Sequence, residues 1–225
     1  MKNYVIIVAG GTGSRMKSDI PKQFIELCGK PVIMHSIERF YSFDPNLTII
    51  IVLPQHYFTY WTELCSRFDF KIPHNFIAGG YERFHSVKNA LVTIHEDGIV
   101  FIHDSVRPMV SRKTIENTFL TALEKGNAIP FVPLKETIRE ITETGSQVAD
   151  RSSFVNIQTP QCFRLSLIKD AYKTSFKPAF TDDASVLEAN GGKIHLVEGN
   201  SENIKITDQT DLLIAETLIK RVLYT

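Results

Sequence analysis

Short apolar segments alternate along the chain with segments whose apolar residues recur every three or four positions. The apolar segments cover residues 4–8, 48–53, 99–103 and 128–132 and are rich in Val, Ile or Phe, which favours buried strands of a parallel sheet. Residues 33–43, 56–68, 87–95 and 113–124 lie between or beside them and have the period of amphipathic helices. This order predicts an α/β fold with a Rossmann-like, mostly parallel sheet flanked by helices. Ligands of such sheets bind at the carboxyl ends of the strands.

The alternation stops after Pro133, where a different pattern begins. Residues 137–141 and 147–149 flank a turn at 142–146 that contains Gly145, which predicts a β-hairpin. The hairpin is either a peripheral flap of a monomer or, as we expect, a projecting dimerisation arm at about residues 135–155. Sheet and helix then return, ending in an amphipathic segment at 210–223. The sequence contains no internal repeat, so we expect one domain over residues 1–225.

Composition excludes several classes of protein. The 225 residues are 43% hydrophobic and 22% charged, with 25 Lys+Arg against 25 Asp+Glu. This balance argues against a nucleic-acid partner that is bound by a global basic field. No apolar run is long enough to span a membrane and no signal-peptide pattern occurs, so we expect no membrane partner. Three scattered cysteines indicate reduced thiols in a cytoplasmic protein.

A glycine-rich turn, VAGGTGSRM at residues 8–16, follows the first predicted strand and leads on to Pro21-Lys22-Gln23. Glycines let backbone amides approach a phosphate closely, and Arg15 and Lys22 add two cations. A dinucleotide fingerprint needs a third glycine where Met16 stands, and a P-loop also needs glycine at that position. The nucleotidyltransferase signature G-x-G-x-R-M followed by P-K matches outright, while a surface turn with incidental charges is the remaining alternative. The nucleotide-binding residues predicted in this turn are Ala9, Gly10, Gly11, Gly13 and Ser14.

Two further segments contain candidate site residues near predicted strand or helix ends. In GGYERFHSV, residues 79–87, a double glycine and Ser86 supply amides and a hydroxyl that either read a small base or form a capped helix entrance. In HDSVRP, residues 103–108, Asp104 ends a strand and is placed to hold Mg²⁺, and Arg107 to bind an anion. A structural Asp–Arg pair that closes a turn is the alternative. We expect His103 to form structural hydrogen bonds.

Two later segments are weaker candidates. In TDDAS, residues 181–185, Thr181 or Asp182 is expected to cap a helix, and the second carboxylate of the pair is available to recognise a hydroxylated substrate. In NIKIT, residues 203–207, the alternation predicts a strand with Lys205 on its polar face. Such a lysine is ordinarily only solvated.

Taken in order, these motifs make the sequence resemble the 2-C-methyl-D-erythritol 4-phosphate cytidylyltransferases. The resemblance covers nearly the whole chain and rests on GGTGSRM with PKQF, GGYERFHSV, HDSVRP, ETI, QTPQCF, TDDASVLE and NIKIT. Ribitol 5-phosphate cytidylyltransferases are the alternative, since they share the glycine loop, the HD..RP segment and NIKIT. The sequence departs from the family pattern in two segments: Val8 precedes Ala9-Gly10 where A-A-G is usual, and Ser105-Val106 stand where HDAARP is usual.

The resemblance implies a role for each matching residue. Arg15, Lys22 and Lys205 would be catalytic, neutralising the triphosphate and the charge that develops at the α-phosphorus. Gly80, Tyr81 and Ser86 would read cytosine, and Asp104 would face the substrate and the metal. The residues that would surround the sugar phosphate are Arg107, Thr137, Arg151, Thr159 and Thr181. The arm carrying two of them, Thr137 and Arg151, would reach the neighbouring subunit's site in a homodimer.

The implied reaction transfers CMP from CTP to a sugar-alcohol phosphate with Mg²⁺ as cofactor and releases pyrophosphate. A phosphate monoester, with a second pKa around 6, is largely dianionic at pH 7 and needs no general base. Two other classes remain open: a nucleotide-sensing protein with an inactive site, and a dinucleotide-dependent oxidoreductase. The set Arg15, Lys22, Asp104 and Lys205 argues against the first, and Met16 against the second.

Overall fold

A central eight-stranded sheet with helices packed against both faces forms the fold in the computed structural model, which describes residues 2–11 and 20–223. The strands are β1 (Lys2–Val8), β2 (Glu26–Leu27), β3 (Lys30–Pro31), β4 (Thr48–Leu53), β5 (Asn75–Ala78), β6 (Gly98–Asp104), β7 (Asn127–Pro133), β8 (Arg139–Thr142), β9 (Gly145–Val148), β10 (Val155–Ile157), β11 (Gln161–Arg164) and β12 (Leu196–Glu198). The helices are α1 (Val32–Phe43), α2 (Phe58–Arg67), α3 (Arg83–Thr93), α4 (Arg112–Lys125), α5 (Leu165–Ala171), α6 (Asp183–Ala189) and α7 (Gln209–Leu223). The predicted α/β class is confirmed.

Strand β1 lies at the centre of the sheet because both of its faces are apolar. It pairs in parallel with β4 and β6, and β5 extends the parallel part beyond β4. Val5 and Ile7 belong to the core on one face, with Trp61 of α2, whereas Ile6 belongs to the core on the other face, with Phe84 of α3. The carboxyl ends of these parallel strands therefore meet at one edge of the sheet.

The other half of the sheet is mixed, which the hydrophobic pattern did not predict. The full order is β10-β7-β11-β6-β1-β4-β5, with β12 also paired to β7, and the β10–β7, β11–β7 and β11–β6 pairs are antiparallel. Strands β5, β10, β11 and β12 contain only three or four residues each. Segments this short carry too few alternations to be distinguished from loops by periodicity.

The predicted strand at residues 203–207 is wrong. Its backbone joins no sheet, and Ile206 N–H donates one hydrogen bond of 2.9 Å to the carbonyl of Val106 instead of forming a ladder. Ile206 is buried in a small cluster with Ala215 and Ile219 of α7. The alternation of apolar residues at 203–207 thus results from packing against helix α7 and not from a strand.

The predicted hairpin is confirmed as a two-stranded antiparallel sheet, β8–β9, separate from the central sheet. Two of its apolar side chains, Ile141 and Val148, are 82% and 69% exposed. A hairpin that leaves large apolar groups in water has little stability of its own. Nothing else in the described part of this chain covers these side chains.

Across residues 2–11 and 20–223, each helix is too short or too polar to cross a membrane.

Candidate active site

A cleft of about 330 Å³ opens where β1 and β6 end. Eight residues predicted from the sequence line it together: Gly10, Gly11, Lys22, Gly80, Tyr81, Ser86, Asp104 and Lys205. The described residues that complete the lining are Val8, Gln23, Glu82, Arg83, Ser105 and Val106. Gly13, Ser14 and Arg15 lie outside the described residues. The cleft therefore unites segments that are up to 197 positions apart in the sequence but lie at one edge of the sheet.

The first glycine turn is held by the sheet and by Gln23, which the sequence analysis did not single out. Ala9 is buried, and its N–H donates to the carbonyl of Val52 at 2.9 Å. The buried amide of Gln23 donates to the carbonyl of Ala9 at 2.8 Å and joins the turn to the short 3₁₀ helix Lys22–Phe24. These contacts hold Lys22 beside Gly11, in the cleft.

A second glycine turn, after β5, is closed on Ser86. The hydroxyl of Ser86 accepts a hydrogen bond of 3.1 Å from Gly80 N–H. A Cβ at Gly80 would collide with the backbone and Cβ of His85, so only glycine allows the chain to approach α3 this closely. Tyr81 is fully exposed at the rim. The turn thus presents a hydroxyl, a rigid backbone and one free aromatic side chain to the cleft.

Asp104 ends β6 and is surrounded by three cations. Its carboxylate lies 2.9 Å from Lys205 Nζ and 3.6 Å from both Arg83 Nε and Arg107 Nε. Burial raises the pKa of Asp104, but the charges of Arg83, Lys205 and Arg107 outweigh it and hold that pKa well below its usual range. Lys205 is thus an ion-paired site residue rather than merely a solvated lysine.

Behind Asp104, a chain of hydrogen bonds fixes the end of the strand. Asp104 N–H donates to Thr159 Oγ1 at 3.1 Å, and Thr159 Oγ1 lies 3.0 Å from His103 Nδ1. His103 Nε2 lies 3.0 Å from the carbonyl of Arg107. A carbonyl only accepts, so Nε2 is the protonated nitrogen and Nδ1 accepts from the hydroxyl. Burial lowers the pKa of His103 to about 4, against smaller raising effects from the Arg107 carbonyl and Asp104.

Arg83, the first residue of α3, is a site residue that the sequence analysis missed although it lies within GGYERFHSV. Its Nη1 and Nη2 donate to the two carboxylate oxygens of Asp183 at 2.9 and 2.6 Å, which forms a bidentate ion pair. Tyr172 also donates to Asp183, at 2.7 Å, and Asp183 is fully buried. The sequence did contain a signal for this role, because a cationic residue stands two positions after Tyr81 within that motif.

The expectation that the aspartate pair recognises a hydroxylated substrate is wrong for Asp183, because its carboxylate is fully buried and engaged within the protein. Asp182 is the N-cap of α6, and it forms a capping box with Ser185 and accepts from Gln161 at 2.7 Å. Helix capping, one of the two roles expected of this segment, is therefore confirmed for Asp182.

The residues predicted to surround the sugar phosphate do not line the cleft within one chain. Arg107 and Thr159 lie behind Asp104, where Arg107 Nη1 donates to the Asn203 carbonyl at 2.8 Å. Thr137, Arg151 and Thr181 are exposed outside the cleft lining. Arg151 Nη1 donates to the carbonyl of Lys135 at 2.7 Å, at the base of the hairpin.

The described residues contain no group of three or more His, Cys, Asp or Glu side chains that would hold a metal by themselves. Asp104 is a single ionised carboxylate at the end of a central strand, in a cleft that also offers glycine amides. One carboxylate fits a Mg²⁺ ion whose remaining ligands are phosphate oxygens and water. It does not fit a metal held by protein ligands alone.

Glycine turns and cations at the carboxyl edge of a parallel sheet bind a nucleotide through its phosphates, and with the signature after β1 they place the chain among the nucleotidyltransferases. A sequence model of the 2-C-methyl-D-erythritol 4-phosphate cytidylyltransferase family matches residues 3–221. The chain belongs to this family. The predicted cytidylyltransferase class is confirmed, and the comparisons favour this family over the ribitol 5-phosphate cytidylyltransferases.

Individual relatives agree with the family assignment. The chain is 49% identical over 219 residues to the 2-C-methyl-D-erythritol 4-phosphate cytidylyltransferase of Phocaeicola vulgatus, covering 97% of this chain and 100% of that one. It is also 49% identical, over 214 residues, to the enzyme of the same name from Bacteroides fragilis, covering 95% and 98%. Among solved structures, the 4-diphosphocytidyl-2C-methyl-D-erythritol synthase of Anaerococcus prevotii superimposes with a TM-score of 0.82 at 26% identity, covering 98% and 96%.

Proposed function

We propose that this chain transfers CMP from CTP to the phosphate of 2-C-methyl-D-erythritol 4-phosphate in non-mevalonate isoprenoid precursor synthesis. The products are 4-diphosphocytidyl-2-C-methyl-D-erythritol and pyrophosphate. The observation that carries the proposal is one cleft in which Lys22, Lys205 and Asp104 meet two glycine turns. Three free cysteines, Cys28, Cys65 and Cys162, support a cytoplasmic location.

The reaction needs no protein base because the nucleophile is an oxygen of the sugar phosphate dianion. That oxygen attacks the α-phosphorus of CTP, the bond to the β-phosphate oxygen breaks, and pyrophosphate leaves. The side chains that could act as a base or nucleophile agree with this mechanism: both ring nitrogens of His103 are engaged, and Cys162 lies in the core, where burial raises the pKa of its thiol well above the usual value. Catalysis then consists of positioning and of stabilising negative charge.

Each part of the cleft has a task in this mechanism. The amides of Gly10 and Gly11, with Gly13, Ser14 and Arg15 next in sequence, bind the triphosphate. Lys22 and Lys205 stabilise the charge that develops around the α-phosphorus. Gly80, Tyr81 and Ser86 read the cytosine. Asp104 supplies one ligand for Mg²⁺, which when bound would neutralise phosphate charge.

We further propose that the active site is completed by a second copy of the chain in a homodimer. Thr137 and Arg151 flank the exposed hairpin, and neither lines the cleft of its own chain. Ile141 and Val148 leave an apolar surface on the arm that a second chain would cover. A two-fold exchange of arms brings Arg151 of each protomer to the sugar phosphate in the other site.

Complementation tests the composite site. Lys22→Ala and Arg151→Ala chains, each inactive alone, should recover a substantial part of the activity when co-expressed, because the heterodimer has one intact site. Absence of recovery in verified heterodimers would show that each site is built within one chain, and a monomer at micromolar concentration would refute arm exchange.

Pyrophosphate release tests the reaction itself. The chain is incubated with CTP, Mg²⁺ and one of three acceptors: 2-C-methyl-D-erythritol 4-phosphate, ribitol 5-phosphate or none. We expect release with the first acceptor far above the other two. Release with ribitol 5-phosphate alone would replace the proposed substrate, and release from neither acceptor would refute the proposed activity.

A further inference from the structure

The ion-paired groups in the cleft and directly behind it do not cancel in charge. Two carboxylates, Asp104 and Asp183, face three cations, Arg83, Arg107 and Lys205, so the cluster carries one surplus positive charge. Lys22 and the exposed Glu82 also line the cleft, and their opposite charges leave this balance unchanged. An anionic ligand can therefore bind one cation of the cluster without leaving a carboxylate uncompensated.

The three cations differ in how firmly they are held. Arg83 is fixed by its bidentate ion pair with the buried Asp183. Arg107 is only 12% exposed and is fixed by its hydrogen bond to the Asn203 carbonyl. Lys205 is 42% exposed, and among the described residues its ammonium group has one ion-pair partner, Asp104. It also has the flexible four-carbon stem that lets a lysine move its charge. Lys205 is thus the cation that a phosphate can draw away.

We propose that Arg83 is a positioning residue that acts through Lys205: it keeps Asp104 neutralised, so that Lys205 can leave this carboxylate and bind the phosphates of the substrates. With Lys205 withdrawn and before Mg²⁺ binds, the charges of Asp104 and Asp183 balance those of Arg83 and Arg107. Without Arg83, two carboxylates share Arg107 and Lys205, and Lys205 is retained as a counter-ion. The proposal rests on the proposed function only for the identity of the phosphates.

Arg83 also joins α3 to α6 through Asp183, so its replacement is expected to lower stability. A role through Lys205 is separated from this structural role by a double-mutant cycle. The four proteins are the wild type, Arg83→Gln, Lys205→Ala and the double variant. A structural role predicts that Arg83→Gln has the same effect in both backgrounds. The proposed role predicts a clearly smaller effect once Lys205 is absent, because only the direct action of the lost guanidinium charge on the phosphates then remains.

Two measurements are made on each protein, at a temperature where circular dichroism shows it folded: calorimetric affinity for CTP, and pyrophosphate release. We expect Arg83→Gln to weaken CTP binding and turnover by about tenfold or more in the presence of Lys205, and by a clearly smaller factor in the Lys205→Ala background. Arg83→Lys, which keeps the charge, should retain most of the wild-type values even where its melting temperature falls. Arg67→Gln, which breaks a surface ion pair with Glu26, is the matched control and should behave as wild type.

Equal effects of Arg83→Gln in both backgrounds would overturn the proposal, as would a folded Arg83→Lys protein as impaired as Arg83→Gln. If Arg83→Gln does not fold, a folded Arg83→Lys protein whose affinity for CTP is about tenfold or more below that of the wild type overturns the proposal. Failure of the proposed function would look different, because the wild type would then bind CTP without releasing pyrophosphate while the pattern of CTP affinities across the cycle persisted.

Discussion

The stability of the site against acid depends on His103, a neutral imidazole buried behind Asp104. Its Nδ1 must remain unprotonated to accept from Thr159, and its Nε2–H donates to the Arg107 carbonyl. Acidification is the perturbation: a proton on Nδ1 turns this acceptor into a donor and places a charge in the core. We predict that folding stability falls between about pH 6.5 and pH 4 through this residue.

The magnitude follows from the shift in the pKa of His103. Burial lowers this pKa from 6.5 to about 4 in the folded chain, so within this range the unfolded chain binds the proton and the folded chain does not. Stability therefore decreases as pH falls below 6.5, and the loss is complete only below about pH 4. Linkage gives a loss of about 2 kcal/mol between pH 7 and pH 5, and about 3 kcal/mol in total, at 1.36 kcal/mol per pKa unit.

Urea unfolding of the wild type and of His103→Gln at pH 7, 6, 5 and 4.5 measures this contribution. Gln keeps a donor and an acceptor but does not titrate, so the variant should lose about 2 kcal/mol less than the wild type between pH 7 and pH 5. Burial also lowers the pKa values of His35 and His74, and their contributions cancel in the comparison. Equal losses in both proteins would refute a buried, neutral His103.

Three further predictions concern the cleft. Lys22→Ala should lower turnover by about two orders of magnitude or more, which is the scale of one preorganised electrostatic contact. The exposed control Lys71→Ala should not lower turnover, and wild-type turnover in a folded Lys22→Ala protein would contradict the assignment. CTP should be preferred over UTP and ATP, because fixed backbone groups leave polar atoms unpaired with the wrong base, and equal turnover with UTP would contradict this. Gly80→Ala should weaken CTP binding measured by calorimetry, because the added Cβ collides with His85 and displaces the turn, and unchanged affinity would show that the turn does not contact the base.

Much of the fold follows from strong local patterns. The first strand is predicted because its run of Val and Ile is continuous and is followed by glycines, and both faces of β1 are indeed buried. Segment 203–207 has the alternation of a half-buried strand but packs against α7, which only the tertiary context reveals. The antiparallel strands β10 and β11 depend on pairing with β7, a contact that no local pattern encodes.

The candidate site shows the same limit at the level of single residues. Asp104 and Lys205 were identified from separate motifs, and their 2.9 Å contact is visible only in the folded chain. Arg83 was missed because its importance lies in its partners, Asp183 and Asp104, which are 100 and 21 positions away in the sequence. Conversely, we expected the second carboxylate of the aspartate pair, Asp183, to bind a substrate, but it is buried and paired with Arg83.

The central claim is that the sugar phosphate itself attacks the α-phosphorus of CTP. The most direct test uses 2-C-methyl-D-erythritol 4-phosphate with ¹⁸O in the non-bridging oxygens of its phosphate, with the products observed by ³¹P NMR and mass spectrometry. The account predicts that all three labelled oxygens remain in the cytidine product, one of them in the bridge between its two phosphorus atoms, and that the released pyrophosphate is unlabelled. Label in the pyrophosphate, loss of label from the nucleotide product, or no cytidine product at all would contradict it.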